Sequence, residues 1–229
     1  MKSFLVIGVG RFGRHLCKKL FELGYDVMAV DRNEDCIEQV LPYTLNSMIG
    51  DSTKSEFIKS IGVSNFDTCF VTIGDDFQTS LETTSLLSEC GAKYVVSRAS
   101  RDTQAKFLLR NGANEVVYPE RQLAEWAAIR YSSNNISNYI ELPGENSIFE
   151  CKVPKSWEGK TVLELDIRKK YKVNIMGIKK GENWYMTITP QIKFEKDQDI
   201  LVYGANKYLE KFLNFDASNF TTGEEDDED

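Results

Sequence analysis

Gly8-Val9-Gly10-Arg11-Phe12-Gly13 decides how this sequence folds. The run follows a short apolar stretch over residues 3–8 and opens a helical one. In the latter, Leu16, Cys17, Leu20 and Leu23 recur at helical spacing until Gly24 stops the pattern. A strand, a G-x-G-x-x-G turn and a helix begin a nucleotide-binding unit, and each glycine has its own reason. Gly8 permits the tight turn, Gly10 lets the backbone approach a pyrophosphate, and Gly13 allows helix and strand to pack closely. The helix N-terminus offers unpaired N–H groups and the positive end of its dipole to phosphates. Residues 26–30 read as the second strand. Asp31 ends it 18 residues after Gly13, placed to accept hydrogen bonds from ribose hydroxyls. A carboxylate there argues against a 2′-phosphate, because two anions repel. Arg32 weakens that argument, since an arginine pairs with such a phosphate. NAD(H), ATP or ADP is favoured over NADP.

The alternation continues outward. Asn33 is placed to cap a helix through Val40. Residues 45–49, 68–73, 94–97 and 115–118 read as strands, with helices over 54–61, 78–90 and 103–109. Near-continuous apolar strands separated by helices predict an α/β domain, a Rossmann-like doubly wound parallel sheet covered on both faces. Right-handed crossovers then bring the strands' C-terminal ends to one edge, where ligands bind. Three further loops are expected there: Gly50-Asp51-Ser52-Thr53, Thr72-Ile73-Gly74-Asp75-Asp76 and Ser97-Arg98. Asp51 is suited to the adenine amino group and Arg98 to a phosphate. Asp51 or Ser52 serves equally well as a helix cap.

After a helix at about 122–130 the pattern changes. Ser132-Ser133-Asn134-Asn135 is polar and turn-forming, which marks a boundary. Strands then come in pairs, at 139–142, 147–153, 173–178, 184–188 and 199–203. Lys180-Gly181-Glu182-Asn183 reads as a hairpin turn, and one helix is expected over 162–171. The expected organisation is a nucleotide-binding domain over 1–134, a small α+β domain over 135–217 and an acidic disordered tail over 218–229.

The formal charge is −7, but residues 224–229 are all Glu or Asp, so the remainder carries −1. Such a body has no basic field for nucleic acid, and the tail reads as a solvated end, with a docking segment as the alternative. The apolar runs fall well short of the ~20 residues a membrane helix needs. With no signal-peptide pattern either, a cytosolic chain is expected, one that serves a membrane only from outside the bilayer. Five cysteines without C-x-x-C spacing fit a reducing compartment. The single histidine, His15, leaves zinc chemistry and a Ser–His–Asp hydrolase poorly supplied. Tyr203 and Lys207 form the one Tyr-x-x-x-Lys pair, but they follow the last strand of the second domain, so the match is read as coincidence. A nucleotide is bound, yet nothing is evidently provided to react with it. Binding without turnover is the favoured reading; an NAD-dependent oxidoreductase or redox sensor is the alternative.

These residues resemble the RCK (KTN) family, the cytosolic regulatory subunits of Ktr and Trk potassium uptake systems. The resemblance rests on Val6 to Gly13, Val30-Asp31, Gly50-Asp51-Ser52-Thr53 and Gly112-Ala113-Asn114-Glu115-Val116-Val117-Tyr118-Pro119-Glu120. It continues through Leu163-Glu164-Leu165-Asp166-Ile167-Arg168-Lys169-Lys170-Tyr171 and Val173-Asn174-Ile175, and covers about residues 2–213. The Gly-Arg-Phe-Gly form points to the Ktr type. The resemblance implies ATP, ADP or NAD(H) in the first domain, and dimers closing into a ring, often an octamer, against a membrane potassium-translocating subunit. It implies gating of ion flow by nucleotide exchange, at the inner face of the cell membrane. By the same resemblance, Arg11 and Phe12 lie in the phosphate loop, with Arg11 facing the terminal phosphate of ATP, and Glu120 lies at the subunit interface, where a divalent cation is held. Cyclic di-AMP is implied at the second domain's dimer interface. There Arg168 would meet a phosphate, Asn174 and the Ile175 backbone the base edges, and Leu163, Ile167, Ile175 and Pro190 the apolar flanks.

Overall fold

The apolar run before the glycine turn becomes β1 (Ser3–Ile7), and Phe4, Leu5, Val6 and Ile7 are all buried. A strand buried on both faces needs cover on both. Phe4 and Val6 cluster with Cys17 and Leu20 of α1 (Arg11–Glu22) and with Ile37 of α2 (Glu34–Glu38). Leu5 and Ile7, on the alternate pleats, cluster with Ile58 of α3 (Ser55–Ile61) and Leu87 of α4 (Phe77–Glu89). Burying each such side chain is worth roughly 1.5–3 kcal/mol, so β1 ties helices to both faces of the sheet.

In this computed structural model, residues 2–131, 136–142, 144–209 and 212 are described. The expected boundary at 132–135 and the acidic tail lie outside them. The chain divides into two units, Met1–Gln122 and Leu123–Asp229. In the first, β2 (Asp26–Asp31), β3 (Asn46–Ile49), β4 (Thr68–Val71), β5 (Val95–Arg98) and β6 (Glu115–Val117) join β1 in the order β3-β2-β1-β4-β5-β6. Every pairing is parallel. α5 (Asp102–Arg110) links β5 to β6, and α6 (Pro119–Tyr131) follows. The expected doubly wound sheet is present, and its order reverses between β1 and β4, the switch point at whose carboxyl ends such folds bind their ligands.

Register places the loops. Ile7 lies level with Val30 and Val71. The Gly8 N–H donates to the Val30 carbonyl at 2.8 Å, Thr72 N–H to Ile7 at 2.8 Å and Gly50 N–H to Asp31 at 2.9 Å. The loops after β1, β2, β3 and β4 therefore leave the sheet at nearly one level. Two expected elements are shorter: β4 stops at Val71, and α2 stops at Glu38 although Asn33 does cap it, its side chain accepting from Asp35 N–H.

The second unit contains β7 (Ile136–Leu142), β8 (Asn146–Lys152), β9 (Asn174–Lys180), β10 (Asn183–Tyr185) and β11 (Asp199–Ala205). They form an antiparallel sheet in the order β10-β9-β11-β8-β7. β8 and β11 alternate strictly between buried and half-buried positions. Their inward residues Phe149, Cys151, Ile200 and Val202 share a core with the fully buried Trp157. The hairpin turn is present: Asn183 pairs with Lys180 across Gly181-Glu182, and Gly181 takes the positive φ of 59° such a turn favours.

Two expectations for this unit are corrected. The single helix over 162–171 is two, α7 (Val162–Leu165) and α8 (Ile167–Tyr171), because Asp166 adopts a left-handed φ of 46° and ψ of 47° between them. The strand over 184–188 stops at Tyr185. Beyond it, Pro190 and Ile192 carbonyls accept the Leu163 and Val162 N–H groups at 3.0 and 3.1 Å, so that segment caps the first turn of α7 instead of extending the sheet.

Candidate nucleotide-binding site

The glycine run turns the chain from β1 into α1 as its spacing requires. Gly8 has φ 89°, and a Cβ there would sit 2.7 Å from Cγ1 of Ile73. At Gly13 a Cβ would press on the Gly8 carbonyl and lie 2.6 Å from the Thr72 hydroxyl. That hydroxyl donates to the Ile7 carbonyl at 3.1 Å and also contacts the Gly8 carbonyl, so Thr72 braces the turn from behind. Gly10 differs from both: a Cβ there would meet nothing within 4 Å. Among the described residues no packing asks for glycine at that position, whereas a phosphate approaching the backbone would. Gly10 has no side-chain cap to offer α1, and the first turn holds no acidic residue. Its leading N–H groups and dipole end therefore suit an anion. Arg11 is exposed on that first turn.

Asp31 closes the turn from β2. Its Oδ2 accepts the Val9 N–H at 2.8 Å and its Oδ1 the Asn33 N–H at 2.9 Å. The carboxylate is thus fixed beside the glycine loop with lone pairs left over for a ribose. Asp51 accepts the Thr53 hydroxyl at 2.7 Å and N–H at 3.0 Å, which makes it the anchor of its own turn rather than the cap of α3. Those two bonds, first the hydroxyl's, hold its carboxyl below the usual aspartate range, with help from Lys54 and Arg32. Asp76 caps α4 and is held low in the same way, by the hydroxyl and N–H of Thr79, with a smaller contribution from Arg32. Arg32 therefore lies in the field of two carboxylates. Ser52 turns inward: it is buried and shares a 2.8 Å hydrogen bond with Thr83 on α4.

Arg98 at the end of β5 gathers three other candidates. Its guanidinium pairs with Glu120 on the first turn of α6 and lies 6.0 Å from the centre of the Phe12 ring. A Cβ on Gly74 would collide with it. The Arg98 side chain is only 18% exposed, and its Nε is buried without a hydrogen-bond partner. A side chain at position 74 would oblige this guanidinium to shift, a contact that motif spacing does not reveal. The Arg14–Gln39 pair was not among the expected site residues; Asp76 was expected only as part of its loop, and the Asp76-x-x-Thr79 spacing carries its capping signal. Among the described residues no three His, Cys, Asp or Glu side chains group to hold a metal.

The expected residues of the second unit are placed less uniformly. Leu163 and Pro190 are both exposed and joined by the backbone bond described above, and Arg168 is exposed on α8. Asn174 and Ile175 are half-buried on β9, while Ile167 is a core residue at 3% exposure. A cavity of about 440 Å³ lies elsewhere, between the C-terminal ends of α3 and α4. It is on the sheet edge opposite the glycine turn.

The TrkA-N domain family matches residues 4–119 and the TrkA-C domain family residues 148–216. The chain is 37% identical over 211 residues to the Ktr system potassium uptake protein C of Bacillus subtilis, covering 92% of this chain and 96% of that one. It is 32% identical over 213 residues to the Ktr system potassium uptake protein A of the same organism, covering 93% and 96%. Among solved structures it resembles the GsuK RCK domain with a TM-score of 0.64 at 17% identity, covering 93% of this chain and 47% of that one. GsuK bound to ADP matches with a TM-score of 0.50 at 17% identity, over 56% of this chain and 34% of that one. The chain thus spans less than half the length of these structures, and at such identity the likeness establishes the fold. Among the described residues no helix is long and apolar enough to cross a membrane.

Proposed function

The chain belongs to the family of Ktr and Trk potassium uptake proteins built from TrkA-N and TrkA-C domains, and from that premise we propose that it is a nucleotide-sensing gating subunit of a membrane potassium channel or transporter. The observation that carries the reading is the open backbone at Gly10. It sits at a helix start with no side-chain cap, beside a carboxylate already locked onto the same loop.

The proposed ligand is ATP or ADP, with NAD(H) as the alternative, since Asp31 serves the ribose of each. Arg32 lies in the field of Asp51 and Asp76, which compete with a 2′-phosphate for its charge. An adenine nucleotide is in keeping with the ADP complex of GsuK, a protein alike in fold. In this reading the backbone at Gly8, Gly10 and Gly13 cradles the phosphates, with Phe12, Thr72, Ile73 and Gly74 shaping the crevice. Arg98 meets a phosphate oxygen, Asp51 faces the adenine, and Arg11 reaches the terminal phosphate, its planar fork suited to phosphate oxygens. A phosphate drawn to Arg98 would press against Glu120, and a divalent cation shared with a second copy of the chain would relieve that repulsion. Copies pair as dimers and close into a ring, an octamer by family resemblance, on the cytoplasmic face of the membrane partner. Cyclic di-AMP is proposed at the second unit through Arg168, Asn174, Ile175, Leu163 and Pro190, with Ile167 supporting from the core. No turnover is part of this function.

A sensor of ATP against ADP must bind the two differently in its two shapes, because a ligand shifts an equilibrium only by its differential affinity. The nucleotides differ at the terminal phosphate, where Arg11 is placed. Arg11→Ala should weaken ATP roughly tenfold or more, a charged hydrogen bond's worth, and ADP far less. The difference in small-angle scattering between the ATP and ADP forms should shrink with it. Equal loss for both nucleotides, or an intact shape change, defeats Arg11 as the sensor. Sustained NADH oxidation by the purified protein with a small carbonyl compound would defeat the non-enzymatic reading.

A further inference from the structure

The helix α8 and the residue after it read Ile167-Arg168-Lys169-Lys170-Tyr171-Lys172. Arg168, Lys169, Lys170 and Lys172 are all exposed. Ion pairs elsewhere in the second unit bind Lys152 to Asp199, Lys179 to Glu150 and Lys180 to Glu195. Among the described residues, none of the four cations around α8 forms an ion pair. The same helix is where the chain's last described residue is anchored. Phe212 is 2% exposed, with its ring centre 5.8 Å from that of Tyr171 on α8, edge to face, and 5.4 Å from that of Trp157. Seventeen residues follow Phe212, and the last six are all acidic.

We propose that the acidic run over 224–229 docks on the basic face of α8 of its own chain. Three observations converge. The charges are complementary: six consecutive carboxylates against four unpaired cations clustered within five residues, in a chain whose remainder carries −1. The tether starts at the target, because Phe212 packs on α8's own Tyr171. The twelve residues from Phe212 to Glu224 span at most about 40 Å, while α8 is only about 8 Å long, so the run is held near its partner at high effective concentration. Finally, the TrkA-C match ends at residue 216, so the run is additional to the domain. Single exposed ion pairs are weak and screened by salt. Several acting together on a short tether are not limited to the strength of one, but they remain salt-sensitive. An anion approaching Arg168 has to displace the run, whatever that anion is; the docking itself does not rest on cyclic di-AMP.

Zero-length carbodiimide cross-linking of the full chain at low ionic strength tests this. Peptides from the monomer band of a denaturing gel carry same-chain links, and those from the dimer band carry links between copies. The expected result is same-chain links from residues 224–229 to Lys169, Lys170 or Lys172, reduced at least fivefold in 0.5 M salt. Amine acylation of Lys169 and Lys170 should run several-fold faster when the run is neutralised by E224Q/E225Q/D226N/D227N/E228Q/D229N, with exposed Lys59 unchanged as the control. Links spread over remote lysines such as Lys59 and Lys106, links found only between copies, no links, or equal acylation rates would each overturn the proposal.

Discussion

Asp31 performs two tasks with one carboxylate. Bonds to Val9 and Asn33 N–H fix the glycine loop on one side and the start of α2 on the other. What remains of its acceptor capacity is left for the ribose proposed there. Asparagine is not a conservative substitute, because its amide end would set a donor against one of those two N–H groups. Asp31→Ala should weaken ATP, ADP and NADH alike, by roughly tenfold to a hundredfold, the value of a hydrogen bond to a charged group. Calorimetric titration of the three nucleotides checks this, and unchanged affinity for all of them would sink the ribose assignment. The sequence motif names Gly8, Gly13 and Asp31, since each acts on neighbours a fixed spacing away. It is silent on Gly74 and Ser52, whose roles depend on Arg98 and Thr83 arriving from other strands and helices.

At the scale of elements, the strands and helices of the first unit follow from hydrophobic spacing because each is buried in a repeating layer. The second unit is less legible where polar local chemistry overrides spacing. Apolar residues run on through 162–171, yet Asp166 in a left-handed conformation cuts the helix in two. The first piece survives at four residues because a capping box holds it: the Thr161 hydroxyl accepts the Glu164 N–H at 3.2 Å, and the Glu164 carboxylate accepts the Thr161 N–H at 2.7 Å. Thr161-x-x-Glu164 was present in the sequence as a start signal, but nothing in it marked so early a stop. Thr161→Ala should cost about 1 kcal/mol, a typical cap deletion. The backbone bond from Thr161, then its hydroxyl, holds the Glu164 carboxyl below the usual glutamate range. A lowered carboxyl contributes stability above the ordinary glutamate range and loses it as pH falls through the folded value. The substitution should therefore cost most at neutral pH and progressively less on acidification. Urea unfolding across that range measures it; a penalty independent of pH would mean that the box's charge contributes nothing.

Across the whole molecule, the five thiols are distributed by the same burial that builds the two cores. Cys17, Cys69 and Cys151 are buried, Cys36 and Cys90 are half-buried, and none is disulfide-bonded. Burial pushes the thiols of Cys17 and Cys69 up to about 12, so they stay protonated under any physiological condition. An aromatic-disulfide reagent should titrate two thiols in the native protein and five in guanidinium chloride; more than two native equivalents would show that a core opens readily. Cys36 is the more useful of the pair. Burial and the charge of Asp31 both raise its thiol, and it lies in the field of the carboxylate proposed to hold the ribose. A fluorophore attached there would sit at the mouth of the crevice without any substitution having been made. The protein thus carries its own attachment point for an optical readout, one that would follow ligand exchange at the proposed site in real time.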